Sequence, residues 1–251
     1  MSTATQVAIV TGGSAGIGRA TALAFADSGV AVSLGDLNEE RGSLVVKEIR
    51  ERGGRAIFTK TDVAQAADCS RLVDETVRQL GRLDIAFNNA GIPGDPRLTA
   101  DYGLANWQRV IDVNLTGVFN CMTYQLPAMI ARGGAIVNTA SIFGLVGAPG
   151  NSAYCAAKHG VIGLTKAAAL EYGRYRIRVN AVCPGYISTD MTVGPDTRFT
   201  EEKINKCLST NALRRMAAPE EVANLVIWLA SDKASYVSGA HYTVDGGITA
   251  S

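Results

Sequence analysis

Residues 7–20 read VAIVTGGSAGIGRA, and the fold follows from how this stretch is parsed. Val7–Val10 form a short apolar run of strand length, and Gly12, Gly16 and Gly18 then punctuate a turn before a helix-forming segment begins. The spacing is G-x-x-x-G-x-G rather than the more common G-x-G-x-x-G. The physics is shared: glycines permit a tight turn and close backbone approach, and free N–H groups at a helix start attract a pyrophosphate. A glycine-rich turn alone could be a mere tight connection. Placed after a strand, before a helix and at the front of the chain, it favours nucleotide binding.

Outward from this turn, short apolar runs alternate with helix-like segments. Strands are expected at 7–10, 31–36, 56–62, 83–91, 134–141, 177–185 and 241–245. Their near-continuous apolar character suits a parallel sheet covered on both faces. Helices are expected near 17–28, 39–52, 65–80, 104–131 and 152–172, and another should start at Pro219, whose fixed φ suits a first turn followed by Glu220 and Glu221. The pattern predicts an α/β, doubly wound Rossmann-type parallel sheet of about seven strands with helices on both faces. No low-complexity linker interrupts residues 1–251, so one dinucleotide-binding domain is expected. One region breaks the rhythm: an insertion around 186–218 holds turn formers and one short helix. It is either a substrate-binding loop at the end of a strand or a surface excursion without a role.

Bulk properties narrow the functional classes. Hydrophobic residues make up 47% of the 251 and charged residues 19%, a composition that supports a packed core. Lys and Arg number 24 against 23 Asp and Glu, for a net charge of +1. No basic field exists to attract nucleic acid or an acidic membrane. The cysteines, Cys69, Cys121, Cys155, Cys183 and Cys207, are odd in number and scattered, which suggests reduced thiols in a cytoplasmic protein and no disulfide framework or metal site. The N-terminus carries no signal-peptide pattern, and no run approaches the roughly 20 apolar residues of a membrane span.

Two further features carry chemistry. Asp36 ends the second expected strand, where a carboxylate can hydrogen-bond an adenosine ribose with free hydroxyls and repel a 2′-phosphate; it could instead cap the helix beginning near Glu39. Ala15 and Leu37 flank the same pocket where a 2′-phosphate would want a cation, so NAD is expected over NADP. Tyr154 and Lys158 lie four residues apart in SAYCAAKHG (152–160), which on a helix places them on one face. An isolated pair of this kind is usually a solvated surface pair, and only its context distinguishes it.

That context resembles the short-chain dehydrogenase/reductase family over nearly the whole chain. Thr11-Gly12-Gly13-Ser14-Ala15-Gly16-Ile17-Gly18 matches the family's cofactor motif, Asp62-Val63 its adenine-contacting pair, and Asn89-Ala90-Gly91, with Asn88 before them, its strand-end motif. Asn114, Ser141, Tyr154 and Lys158 match the four catalytic positions, and Pro184-Gly185 with Ile187 and Thr189 the segment that holds the nicotinamide carboxamide. Val244-Asp245-Gly246-Gly247 completes the match near the C-terminus.

The resemblance implies hydride transfer between NAD and a carbinol carbon, with Tyr154 as general acid/base. A phenol of pKa near 10 needs about 3–4 kcal/mol of differential stabilisation to titrate about 2–3 pH units lower, and Lys158 is placed to supply part of it. The resemblance further implies that Lys158 binds the nicotinamide ribose, that Ser141 holds the substrate oxygen, and that Asn114 positions a water linking Lys158 to solvent. It also implies a homo-oligomer, tetramer or dimer, packed through the small-residue helix that carries Tyr154. A substrate lining of Ile92, Pro93, Gly94, Ile142, Phe143, Leu145, Val146, Tyr186, Met191 and Phe199 is mostly apolar and suits a hydrophobic or cyclic secondary alcohol and its ketone. An NADPH-dependent 3-oxoacyl-carrier-protein-type reductase is the alternative enzyme, with Arg174, Arg176 and Arg178 available as a docking patch. A non-catalytic dinucleotide-binding regulator is the alternative outside enzymology.

Overall fold

A computed structural model describes residues 5–193 and 200–250, apart from the side chains of Glu201, Lys203, Lys206 and Cys207. Seven parallel strands, β1 (Val7–Thr11), β2 (Ala31–Asp36), β3 (Ala56–Lys60), β4 (Ile85–Asn88), β5 (Gly134–Thr139), β6 (Ile177–Pro184) and β7 (His241–Val244), form one sheet in the order β3-β2-β1-β4-β5-β6-β7. The connecting helices are α1 (Gly16–Asp27), α2 (Glu39–Glu51), α3 (Ala66–Leu80), α4 (Leu104–Ile111), α5 (Gly117–Met129), α6 (Ser152–Tyr172), α7 (Asp190–Val193), α8 (Glu201–Thr210) and α9 (Pro219–Ala230).

Alternate residues of each strand feed opposite faces of the sheet. Ala8, Val10, Val32, Leu34, Ile85 and Phe87 pack with α1, α2 and α9. Ile9, Ala86, Ile136, Val179 and Ala181 pack with α3, α5 and α6. Fully burying side chains such as Ile9 or Phe87 contributes roughly 1.5–3 kcal/mol each, which is why the strands are apolar on both faces. Through this second layer runs a buried amide network. Asn88 Nδ2 donates to Gln125 Oε1 and Asn138 Oδ1, both at 3.0 Å, and Asn138 Nδ2 donates to Thr165 Oγ1 at 3.0 Å. It joins β4 and β5 to α5 and α6.

Two expectations are corrected, and the capping alternative for Asp36 is removed. The single helix expected over 104–131 is two helices joined by a π turn at Asp112–Thr116, with Asn114 inside it. Its apolar periodicity is nearly continuous, so the extra residue leaves no mark in the sequence. Among its described residues the insertion around 186–218 holds two helical segments, α7 and α8, rather than one, and is tied down where Ser188 N donates to Ala217 O at 2.9 Å and Ala217 N to Tyr186 O at 3.1 Å. Asp36 does not cap α2: the cap is Asn38, whose side chain accepts from Arg41 N at 3.0 Å.

The strand order reverses between β1 and β4, on either side of which successive strands run outward to opposite edges. At such a switch point the loops after the strands diverge and leave a crevice at their C-terminal ends. No helix among the described residues is long and apolar enough to cross a membrane. Cys69, Cys121, Cys155 and Cys183 carry free thiols; the side chain of Cys207 and all of Phe199 lie outside the described residues.

Candidate active site

A cleft of about 310 Å³ opens at the switch point, lined by Gly12 and Ser14–Ile17 of the first turn, by Asp36, by Asn89–Gly91, by Thr139–Ser141, by Tyr154 and Lys158, and by Pro184, Gly185, Ile187 and Thr189–Thr192. Its floor is built by close backbone approach. A Cβ on Gly18 would lie 2.0 Å from Gly12 O, and one on Gly12, whose φ is +63°, would lie 2.9 Å from Ala90 Cα. Only glycine allows the turn, the strand and the helix to meet this tightly. Asn89 stitches the turn to β4, its amide N donating to Thr11 Oγ1 at 3.0 Å and its Nδ2 to Thr11 O at 3.2 Å. This cradle, with open helix-start amides and a rim carboxylate, has the shape and donors that a dinucleotide requires.

At the rim, Asp36 Oδ2 accepts from Ser14 N at 3.0 Å and Oδ1 from Asn38 N at 3.0 Å. Each carboxylate oxygen retains a lone pair for a ribose hydroxyl. Leu37 beside it is 61% exposed.

At the inner end, α6 presents Tyr154 and Lys158 to the cleft, with Lys158 Nζ 5.6 Å from the centre of the Tyr154 ring. Lys158 Nζ donates to Thr139 O at 2.7 Å. Burial pushes the Lys158 ammonium down to about 8. Burial also pushes the Tyr154 phenol up to about 12, against the opposing hydrogen bond of Ser141. The direction is the reverse of that expected from the Tyr/Lys spacing: the ammonium is directed at the Thr139 carbonyl, and desolvation of the phenol dominates. Ser141 Oγ accepts from Phe143 N at 3.2 Å, which sets the hydroxyl at the start of a short 3-10 turn beside Tyr154. The ring of Phe143 meets that of Tyr154 edge-on, centroids 6.4 Å apart.

Asn114 faces the same end from the π turn. Its Nδ2 donates to Ile92 O and Val110 O, both at 2.9 Å, and its Oδ1 accepts from Ile92 N at 3.1 Å. A Cβ on Gly91 would lie 2.7 Å from Asn114 Oδ1 and 3.7 Å from Lys158 Nζ, so the bare glycine leaves a gap between the two groups.

A family model described as "Enoyl-(Acyl carrier protein) reductase" matches residues 12–249. A cyclohexanol dehydrogenase from Acinetobacter sp. (strain SE19) is 48% identical over 245 residues, which is 97% of this chain and 95% of that one. The chain belongs to the short-chain dehydrogenase/reductase family. A 3-oxoacyl-[acyl-carrier-protein] reductase from Thermotoga maritima is 41% identical, over 97% of both chains. The crystal structure of a levodione reductase superposes with a TM-score of 0.94 at 38% identity, over 98% of each chain. As a short-chain dehydrogenase/reductase, the protein is an oxidoreductase that interconverts alcohol and carbonyl groups.

The cleft of this short-chain dehydrogenase/reductase gathers most of the residues singled out from sequence. Gly12, Ser14, Gly16, Ile17, Asp36, Asn89, Ala90, Gly91, Ser141, Tyr154, Lys158, Pro184, Gly185, Ile187, Thr189 and Met191 all line it. Gly18 lies beneath, as the packing contact already described. Asp62 and Val63 stand off the cleft lining. Asp62 N donates to Asp68 Oδ2 at 2.9 Å, and Val63 O accepts from Asn120 Nδ2 at 3.0 Å. Among the substrate candidates, Ile142 is buried in packing, Pro93 is exposed, Tyr186 is half-buried, and Ile92 packs against the cluster of Tyr102, Val110 and Ala153 together with Tyr154. Sequence reasoning missed Thr139, which receives Lys158, and Asp190 and Thr192 on the cleft wall. Thr139 could have been found from its place at the end of β5, just before Ser141.

Proposed function

We propose that the protein is an NAD-dependent dehydrogenase of hydrophobic, cyclic secondary alcohols, acting through Asn114, Ser141, Tyr154 and Lys158. The observation that carries the cofactor choice is Asp36, a carboxylate at the adenosine rim held by Ser14 N and Asn38 N with two lone pairs free. A 2′-phosphate would meet that charge directly. The cyclic substrate is supported by the relative named for cyclohexanol, by Phe143, whose ring lies against Tyr154, and by apolar Met191 on the cleft wall.

The nicotinamide, when bound, accepts or returns the hydride. Ser141 Oγ and Tyr154 Oη hold the substrate oxygen between them. In the reductive direction the Tyr154 phenol, protonated at neutral pH because burial lifts it to about 12, donates its proton to that oxygen. In the oxidative direction Tyr154 takes the hydroxyl proton as its phenolate, which Lys158 and the positive charge that an oxidised nicotinamide would supply stabilise against the burial that otherwise keeps it protonated. Lys158 is oriented by Thr139 O, and the gap left by Gly91 between Lys158 Nζ and Asn114 Oδ1 offers a path for a water to relay the proton outward.

The 3-oxoacyl-carrier reading is favoured by the Thermotoga maritima relative. Against it, Arg178 donates to the carbonyls of Leu229, Ser231 and Val237 and Arg174 stacks over Tyr175, so two of the three arginines of the supposed docking patch are engaged within the chain. The regulator reading is opposed by the convergence of Ser141, Tyr154 and Lys158 in one cleft.

A homotetramer belongs to the same proposal, supported by Phe119 on α5 and Leu170 on α6, which are 54% and 87% exposed, and so does a cytoplasmic location, supported by the free thiols of Cys69, Cys121, Cys155 and Cys183. Light scattering of the purified protein measures the assembly. The deciding experiment follows cofactor reduction with cyclohexanol and a panel of acyclic alcohols, NAD and NADP in parallel. Turnover with NAD and cyclic alcohols is expected; preference for NADP with 3-oxoacyl thioesters, read in reverse, would bring the alternative forward.

A further inference from the structure

Arg41 is the first cation after Asp36 in the chain, in the opening turn of α2. Its place relative to the rim is set by a short relay: Asp36 Oδ1 accepts from Asn38 N, and Asn38 Oδ1 accepts from Arg41 N, each at 3.0 Å. An arginine rooted there has the reach to bring its guanidinium to the ribose edge. It does not do so. Arg41 Nη1 donates to Asp190 Oδ2 at 2.6 Å, across 149 residues of sequence. Asp190 opens α7 on the opposite wall of the cleft.

The Asp190 carboxylate stands on an anchored turn. Thr192 Oγ1 accepts from Thr189 N at 3.0 Å and donates to Ile187 O, and Ile187 bridges to Ala217. The partners are 55% and 65% exposed, so the pair adds little to stability; surface ion pairs contribute at most about 1 kcal/mol. What it does alter is the electrostatics of the rim. The other arginine near this edge, Arg19, is engaged by Glu48 at 2.6 Å.

We infer that Asp190 is a second determinant of cofactor choice, which acts by drawing the Arg41 guanidinium across the cleft and away from the site where a 2′-phosphate would lie. Asp36 repels that phosphate, and Asp190 withdraws a cation that could offset the repulsion. Two acidic residues from distant parts of the chain thus disfavour NADP by different means. The inference rests on the NAD reading for its sense, but its size is measured independently of it.

The test is calorimetric binding of NAD and NADP, without alcohol, to the protein as it stands and to Asp190→Asn, Arg41→Ala and the double variant, at low and high salt. Asp190→Asn is expected to tighten NADP about five- to tenfold at low salt while NAD changes by less than about twofold. High salt should erase most of that gain. Arg41→Ala added to Asp190→Asn should remove it. An unchanged NADP-to-NAD ratio in Asp190→Asn would overturn the inference and leave the pair as a strap for α7. A gain that survives in the double variant would also overturn it, since Asp190 would then act through its own charge. Tighter binding of NADP than NAD by the unaltered protein would sink the Asp36 reading, a result separate from either ratio.

Discussion

Lys158 Nζ donates to the main-chain carbonyl of Thr139 at 2.7 Å. The bond fixes where the ammonium points, and burial holds its pKa down at about 8 against the usual 10.5. Below pH 8 the folded protein therefore carries a buried charge that the unfolded chain keeps in water. Between about pH 8 and 10.5 the unfolded chain holds the proton and the folded chain does not, so stability rises with pH across that window.

Lys158→Met should accordingly be inactive yet more stable at pH 7. Removing the buried charge gains at most about 3 kcal/mol, and leaving Thr139 O without its donor gives back about 1 kcal/mol. The advantage should shrink as pH rises from 8 to 10.5. Denaturant unfolding at several pH values measures it; a variant less stable than its parent at pH 7 would contradict the burial account.

Tyr154→Phe removes only the phenolic oxygen. Turnover should fall by about three orders of magnitude or more, while NAD binding stays within about twofold, because the cradle from Gly12 to Gly18 is untouched. Single-turnover kinetics with calorimetry separates the two. Residual turnover within tenfold of the parent would mean that another group moves the proton.

Gly91→Ala tests the gap between Asn114 and Lys158. The new methyl would lie 2.7 Å from Asn114 Oδ1, so the π turn or the loop after β4 must shift. The expected outcome is a fall in kcat of about tenfold or more and a reduced solvent isotope effect on proton release, with cofactor affinity changing less. An unaltered kcat would show that no relay crosses this gap.

Asn138→Ala should cost about 2–4 kcal/mol of folding stability. It removes partners from Asn88 Nδ2 and Thr165 Oγ1 inside a layer with little water to replace them. Urea unfolding reads the loss. The Asn138 side chain bonds to Asn88, Met122 and Thr165, none of which lines the cleft, so turnover of the folded fraction should stay within about threefold.

The chain order of strands and helices was legible because each element declares itself locally. Val7–Val10 is apolar on both faces, Gly12 and Gly18 make contacts that no Cβ would permit, and Pro219 opens α9 with Glu221 reaching back to Ala218 N at 2.8 Å. The four-residue spacing of Tyr154 and Lys158 placed them on one face of α6 for the same reason. Helical periodicity could not reveal the π turn around Asn114, since an added residue in an apolar helix barely disturbs the pattern.

Sequence by itself determined the parallel sheet, the glycine-rich turn after β1 and the identity of the residues gathered at the strand ends, because these depend on local geometry and apolar patterning. Tertiary structure alone decided their chemical state. Tyr154 is driven up and Lys158 down by solvent exclusion that distant elements impose, and Arg41 is turned from the rim by a carboxylate 149 residues away. Desolvation and long-range pairing are properties of what surrounds a side chain, and that surrounding exists only once the chain has folded.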